Sequence, residues 1–581
     1  MSRRTPESSP SGGESLEEAT ATGPSPAPQR GGGARWVAAG MLSSRVFGLM
    51  REVAYSRFLG TSFHADVLRQ AMKAPNLLQN LLGDQTMSAA FIPVYSRLLE
   101  KGREQDAARF AGAVFGFLVV IVFSAVVLGM LLAPWLVALL SPGFLKDAEL
   151  VAAGLQEVDR YALQVRAVRF IFPMTGFIVL AAWAMGILNS HRRFFLPYLA
   201  PAFWNVAIIT AVVSSAVGSG FIDQPALAPT DTVTRWLFAI CGGALVGGLL
   251  QFAVQVPLVI RLCPGLRPSL SRRVHGLKEA ASAFVPAVAG RGIVQVSLYV
   301  DGVLATFLAA GAPGVISYAS TLLNLPLAAF GMSVAAAELP ELSRQGRDEE
   351  PAKRRATLER IERALRQSTF LIVPSVVGYL TFGFLVVGLL YRGGKFGAAS
   401  QWLVWAVLAS YTVGLLASAI SRLLQNVFFA VGDTRTPARI AAIRLASSLT
   451  VGIGLMLWLD AYSVEAITGA PVGEMPLFFG ACGLALGASV GAWGEMALLL
   501  WALRRRVSDL RLPFARILSF FAAAAVSAAP AIALWFVIKD GPRVAVSISV
   551  LGVYALCYLG QAYWRGLPEL ELWIGRFKRR R

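Results

Sequence analysis

The sequence predicts an all-α polytopic membrane protein of about 14 transmembrane helices, arranged as two six-helix lobes plus two C-terminal helices. Three observations predict it. Of 581 residues, 56% are hydrophobic and only 15% are charged, with mean hydropathy +0.60, which is more apolar than a soluble domain can hide. The apolar residues fall in runs long enough to cross a bilayer. Basic residues cluster between alternate runs, where the positive-inside rule wants them.

At ~20 residues per crossing, apolar helices fall near 36–60, 66–98, 108–140, 160–189, 196–219, 235–262, 279–309, 314–343, 367–391, 400–430, 437–460, 476–503, 514–538 and 543–574. With both termini cytoplasmic, the inside loops hold Arg97, Lys101, Arg103 and Arg109, then Arg192 and Arg193, then the run from Arg261 to Lys278. They continue with the dense run from Arg344 to Arg366, Arg435 and Arg439, and the run from Arg504 to Arg516. The outside loops hold Lys146, Arg160, Arg235, Arg392, Lys395, Lys539 and Arg543. An asymmetry of 26 against 7 supports both the count and the orientation. Topology thus accounts for most of the +19 net charge, and nucleic acid is not an expected partner. The cysteines Cys241, Cys263, Cys482 and Cys557 lack CxxC spacing, and His64, His191 and His275 lie far apart, so neither a disulfide framework nor a metal site is indicated. Residues 1–34, rich in Pro, Ser, Gly, Glu and Arg, read as a disordered cytoplasmic tail.

An internal repeat organises the spans. Ile92-Pro93-Val94-Tyr95-Ser96-Arg97 closes the second, and Leu339-Pro340-Glu341-Leu342-Ser343-Arg344 closes the eighth, 247 residues later; Arg57-Phe58-Leu59 is answered by Thr306-Phe307-Leu308. Six spans therefore repeat in the same orientation, which places an N-lobe over 35–265 and a C-lobe over 266–508, with a site at their interface. Residues 509–581 carry the last two spans and a basic tail outside the repeat.

The second span puts charge where an apolar protein should have none. Read as one helix, Asp66, Arg69, Lys73, Asn76, Asn80 and Asp84 share one stripe. In the first span, Ser44, Gly48, Arg51 and Tyr55 form a stripe with Arg45 and Glu52 beside it. Each Arg or Lys at bilayer centre costs ~2.5–3.5 kcal/mol on insertion scales, and such residues usually face a cavity or a partner. The bland reading for single residues is snorkelling, as for Arg57 or Arg69, or pairing, as for Arg45 with Glu52 across ~10 Å. Taken together the stripes suggest a wet, basic cavity. Pro75 frees a backbone carbonyl and permits a bend, so the stripe is expected to line a hinge.

A basic cavity selects an anion, and arginine holds phosphate oxygens with paired donors. That argues against a drug-cation exporter. No P-loop, HExxH, GxSxG or plausible Ser/His/Asp set is present, so no enzyme is indicated and no cofactor is expected. Gly432–Pro437 reads as a cytoplasmic turn rather than a nucleotide loop. A channel is disfavoured because polar residues gather in one lobe instead of forming rings along a pore.

Ser44-Arg45-Val46-Phe47-Gly48-Leu49-Met50-Arg51-Glu52, Asp66, Lys73-Ala74-Pro75-Asn76-Leu77-Leu78, Ala90-Phe91-Ile92-Pro93-Val94 and Gly432-Asp433-Thr434-Arg435-Thr436-Pro437 together closely resemble the MurJ (MviN) lipid II flippase family. The resemblance spans about residues 36–575, and its first ~60 residues are the specific part. It implies the fold of the multidrug/oligosaccharidyl-lipid/polysaccharide exporters, two lobes in a V, with the last two helices grooved for a polyprenyl tail. It implies function at Arg45, Arg51 and Asp66, and a substrate that is an undecaprenyl-pyrophosphate disaccharide-pentapeptide in the bacterial inner membrane. Membrane lipids and cell-wall synthesis proteins are the further partners it suggests.

The chain departs from the family pattern at several positions, among them Asp84-Gln85 where the family has Glu-Gly. Gln79 and Asn80 stand where the family carries two arginines, and Thr321 aligns with a third. Arg69 and Arg291 occur where the family is apolar, so the expectation is that phosphate-binding charge has been redistributed within one cavity; the bland alternative pairs Arg291 with Asp301 or Glu279. The expected substrate set is therefore Arg45, Arg51, Asp66, Arg69, Lys73, Asn76, Gln79, Asn80 and Arg291. Glu52, Asp84, Asp301 and Arg444 are coupling or gating candidates. Asp301 resembles a carboxylate of a sodium site in some relatives, yet Arg444 could neutralise it, so monovalent cation coupling stays open. A flippase for another polyprenyl-linked oligosaccharide and a non-transporting scaffold for wall synthesis are the alternative readings.

Overall fold

A computed structural model describes residues 33–335, 351–430, 433–473, 475–506 and 513–570. The first half comprises α1 (Gly33–Leu59), α2 (Phe63–Ala71), α3 (Lys73–Leu82), α4 (Asp84–Ala90), α5 (Ile92–Glu100), α6 (Glu104–Leu131), α7 (Ala133–Leu140), α8 (Asp147–Ala152), α9 (Arg160–Ser190), α10 (Phe195–Gly218), α11 (Thr230–Ala253) and α12 (Val256–Leu262). The second half comprises α13 (Leu277–Leu304), α14 (Ala312–Ala335), α15 (Pro351–Leu390), α16 (Ala398–Val413), α17 (Leu415–Ala430), α18 (Arg435–Leu459), α19 (Val464–Thr468), α20 (Gly480–Arg506), α21 (Phe514–Ile538) and α22 (Arg543–Trp564).

Among the described residues, nine helices are long and apolar enough to cross a membrane, and α16 with α17, bent by 43°, makes a tenth. The difference from about 14 has physical causes. α1 carries Arg45, Arg51, Glu52 and Arg57. Residues 336–343 of the eighth span lie outside the described residues, as do several side chains of the seventh. The expected second span, 66–98, is not one helix but four. Pro75 has no N–H for the Ala71 carbonyl, and α2 gives way to α3 at Met72 just before it. Gly83 ends α3, and Pro93 starts α5. The expected bend at Pro75 is therefore present, and two further breaks follow it.

Long α9, about two-thirds of its residues buried, is the spine of the first half, packed by α2, α3, α6 and α11, while α10 joins α1 to α11. In the second half α18 and α20 pack along their length because glycines let the backbones meet. A Cβ on Gly487 would lie 2.4 Å from the Gly452 Cα, and one on Gly483 would lie 2.3 Å from the Met456 nitrogen. α21 and α22 pack against α15. Within α15, Pro374 leaves the Phe370 carbonyl without its helical donor, and the Tyr558 hydroxyl of α22 donates to it at 2.9 Å.

The two halves are tied at the end where α1 finishes and α14 starts. Thr61 and Ser400 share a hydroxyl hydrogen bond of 2.7 Å, the Tyr318 hydroxyl donates to the Gly60 carbonyl at 3.0 Å, and the Lys395 amide donates to the Arg57 carbonyl at 3.0 Å. Gly60 and Gly311, at φ +58° and +94°, make the tight approaches there possible.

Candidate functional site

Three charged groups on α1 and α2 form one cluster. Glu52, 3% exposed, accepts from Arg51 Nη2 at 2.8 Å and from both terminal nitrogens of Arg69, at 3.2 and 2.5 Å. Helix α1 sets Arg51 and Glu52 side by side. The turn at 60–62 brings α2 back so that Arg69 reaches the same carboxylate. Arg51 Nη1 also donates to Asn205 Oδ1 at 2.9 Å. The walls are aromatic: the Arg51 guanidinium lies 4.8 Å from the Trp204 ring, and that of Arg69 lies 5.0 Å from Tyr55 and 4.8 Å from Tyr318. Two guanidiniums on one carboxylate leave a net charge of +1. Arg51 and Arg69 stay 20% and 13% exposed, and Arg51 Nε meets no acceptor among the described residues.

Asp66 is elsewhere. It is fully buried, accepts from the Gly311 and Gly314 amides at 2.7 and 2.9 Å, and has Arg160 Nη1 at 3.7 Å. Arg160 is itself clamped by Asp147, its Nε 2.6 Å and its Nη2 3.0 Å from that carboxylate. The carboxylate of α2 thus caps the first turn of α14, in the other half of the chain. The expectation that Asp66 shares one open stripe with Arg69 and Lys73 is overturned, because the amides that need a cap hold it at the closed end.

Lys73 points across the halves instead. A Cβ on Gly302 would lie 1.6 Å from its Nζ, so the ammonium fills the space beside α13, where Gln70 Nε2 donates to the Gly302 carbonyl at 2.6 Å. The charges acting on neighbouring Asp301 are Arg444 and Lys73. Asn80 is exposed and bonds the Tyr299 hydroxyl. Asn76 and Gln79 are half-buried on α3, and Pro75 is buried. Arg45 is exposed on α1, about 10 Å in rise before Glu52. The pairing of Arg45 with Glu52 is excluded, since Arg51 and Arg69 occupy that carboxylate. Thr321 turns its hydroxyl onto its own helix, 3.0 Å from the Ser317 carbonyl. The side chains of Asp84 and Arg291 lie outside the described residues. Glu279, one alternative partner for Arg291, is held by Arg97 at 2.9 Å.

Arg444 has a partner the sequence reading did not name. Its Nη1 lies 2.6 Å from Glu495 Oε2, and Gln425 Nε2 donates to the other Glu495 oxygen at 2.7 Å. Tyr318, Trp204, Asn205, Arg160 and Glu495 were likewise missed. A lone carboxylate in the twelfth span was a visible signal for Glu495, whereas nothing local marks Trp204 or Tyr318. The Gly432–Pro437 turn is borne out in its described part: Asp433 Oδ1 accepts from the Thr436 amide at 3.0 Å and starts α18. Among the described residues no group of three or more His, Cys, Asp or Glu could hold a metal ion.

Residues 55–554 match the family model described as "Lipid II flippase MurJ". The chain is 29% identical over 469 residues to "Lipid II flippase MurJ" of Burkholderia cenocepacia, covering 80% of this chain and 82% of that protein. It is 31% identical over 416 residues to "Probable lipid II flippase MurJ" of Rhizobium tropici, 71% and 73% of the two chains. Among solved structures it superposes on "Lipid II flippase MurJ, inward closed conformation" with TM-score 0.67 at 20% identity, covering 91% of this chain and 99% of that one. On an inward-facing multidrug resistance MATE family transporter of the MOP superfamily the score is 0.56 at 14% identity, covering 83% and 99%.

Proposed function

The chain belongs to the MurJ family of lipid II flippases, and from that premise we infer that it moves lipid II across the bacterial cytoplasmic membrane, from the inner to the outer leaflet, by alternating access. It works as a transporter that makes and breaks no covalent bond. The observation that carries the reading to residues is the Arg51–Glu52–Arg69 cluster. Its single carboxylate neutralises only half of two guanidiniums.

A pyrophosphate brings more than one negative charge and offers paired oxygens to each guanidinium. It displaces Glu52 from one or both arginines, and the stack of Tyr55, Trp204 and Tyr318 keeps those arginines oriented while it does so. Because Tyr318 belongs to α14 and Arg69 to α2, a ligand at the cluster pulls on both halves. The Asp66 cap on α14 and the Thr61–Ser400 bond are the contacts that must part when the opposite side opens. No ATP-binding motif occurs in the sequence, so the drive comes from an ion gradient, the membrane potential or consumption of the product. One charge crossing the field is worth ~2.3 kcal/mol per 100 mV.

The test is flipping of fluorescent lipid II in proteoliposomes, together with complementation of a strain depleted of its own lipid II flippase. R51Q and R69Q abolish both if the cluster holds the pyrophosphate, and full activity in both variants removes it from the mechanism. Gln79, Asn80 and Thr321, uncharged where arginine is expected, favour a second reading, transport of another polyprenyl-pyrophosphate sugar. Failure to complement alongside flipping of such a substrate would establish that reading instead.

A further inference from the structure

Two arginines of α9 take no part in the clusters above. Arg166 and Arg169 are exposed and three residues apart, so they lie on one face about 4.5 Å apart in rise. Neither forms an ion pair among the described residues. Each is held by a neutral group instead. Arg169 Nε donates to the Met130 carbonyl at 3.3 Å, a carbonyl left open because the residue four positions on is Pro134. The Arg166 guanidinium lies 5.2 Å from the Phe238 ring, and Phe170 meets that ring edge-on at 6.1 Å. Met130, Arg166, Arg169, Phe170 and Phe238 line an open groove of about 480 Å³ between α6, α9 and α11.

The surroundings mark this groove as part of the lipid-facing wall. Phe123 and Leu131 of α6, the helix that supplies Met130, and Trp135 of α7 are 68%, 69% and 76% exposed. α9 has 31 residues, which is about 46 Å of helix against a hydrocarbon core of about 30 Å, so roughly 8 Å projects at each end. Arg166 and Arg169 start about 9 and 13 Å below the N-terminal end of α9, and their stems reach back toward the headgroups. A merely snorkelling arginine is mobile and reaches for water. Here both heads are held at the rim of an apolar groove, and no carboxylate among the described residues pairs with either. They also add positive charge at the end where positive-inside counting expects least.

We propose that this groove is a binding site for an anionic phospholipid of the leaflet at the N-terminal end of α9. Arg166 and Arg169 hold the headgroup phosphate, and an acyl chain lies over Met130, Phe170 and Phe238. Two guanidiniums one turn apart give the paired donors that phosphate oxygens accept. The site is separate from the Arg51–Glu52–Arg69 cluster and does not rest on the transport reading.

Native mass spectrometry of the full chain in neutral detergent, titrated separately with phosphatidylglycerol, phosphatidylcholine and undecaprenyl pyrophosphate, tests it. The wild type retains phosphatidylglycerol over phosphatidylcholine, and R166Q/R169Q weakens phosphatidylglycerol binding on the order of tenfold with phosphatidylcholine unchanged. R166K/R169K, which keeps the charge and loses the paired donors, falls between the two and serves alone if the glutamine variant does not fold. Equal phosphatidylglycerol retention by wild type and variants overturns the proposal. Loss confined to undecaprenyl pyrophosphate overturns it too, since the groove would then hold the transported lipid.

Discussion

Replacing Glu52 by Gln isolates the charge balance of the cluster. The carboxylate is 3% exposed and accepts one hydrogen bond from Arg51 and two from Arg69. Glutamine keeps the shape and one acceptor oxygen, but it turns an NH2 toward a guanidinium and raises the cluster from +1 to +2. Removing one partner of a buried ion pair costs about 3–5 kcal/mol, and the partial exposure of the arginines puts this case at the lower end. A double-mutant cycle reads the effect cleanly. R69Q alone leaves a neutral Arg51–Glu52 pair, whereas E52Q/R69Q returns the charge to +1. The double variant is therefore more stable than E52Q, with a coupling of about 1–3 kcal/mol. Unfolding in detergent followed by tryptophan fluorescence supplies the four free energies. In the flipping assay E52Q binds lipid II more tightly and releases it more slowly, because the competing carboxylate has gone. An E52Q protein as stable as wild type, with no coupling to R69Q, would refute Glu52 as the shared counterion.

D66N leaves one amide at the start of α14 facing an NH2 in place of a carboxylate oxygen, at a cost of about 1.5–3 kcal/mol. A cysteine placed at Thr61 should then react faster with an impermeant thiol reagent than it does in the Asp66 protein. G302A forces Lys73 off α13, since its new Cβ falls 1.6 Å from the present Nζ, and flipping should drop several-fold in proteoliposomes while the melting temperature changes little. R444Q leaves Glu495, which is 1% exposed, with Gln425 as its remaining hydrogen-bond donor, and because Arg444 is 38% exposed the change should cost about 1–3 kcal/mol by denaturant titration, with R444Q/E495Q recovering part of it. Exchanging sodium for choline should leave transport unchanged, because Arg444 and Lys73 already supply cations to Asp301; a large loss on exchange would show that a bound cation is still needed there.

Hydropathy made the all-helical membrane class legible, and the charge of the second span made its importance legible. Periodicity alone did not reveal how that charge is used. A stripe computed at 100° per residue assumes one unbroken helix, and Pro75, Gly83 and Pro93 divide 66–98 into four. Pro75 and its bend could be read from the sequence. The break at Gly83 could not, because a glycine in an apolar run is as often packing as punctuation. Arg51 and Glu52 were visible as neighbours, but Arg69 joins them only through the turn at 60–62. Tyr318 joins from 249 residues further on than Arg69. Glu495 paired with Arg444 is the same lesson in the second half: each was visible alone, and their contact depends on α18 and α20 meeting through glycines.

The resulting arrangement bears on how a basic membrane protein avoids holding anions indiscriminately. Were Arg51, Arg69 and Lys73 all unpaired in one chamber, each would carry its full desolvation penalty, and any small anion would relieve it. Here every one of these three faces a carboxylate on its own or a neighbouring helix, and in the Glu52 cluster two guanidiniums share one carboxylate. A monovalent anion gains little by displacing Glu52, since it replaces one negative charge with another and loses the bidentate geometry already in place. A pyrophosphate gains, because it neutralises both guanidiniums and leaves Glu52 free to move. Selectivity then comes from the internal competitor rather than from the number of arginines. On that argument, monovalent anions such as chloride or acetate should not inhibit flipping by the wild type, whereas pyrophosphate should. In E52Q, where no carboxylate competes, acetate should become an inhibitor.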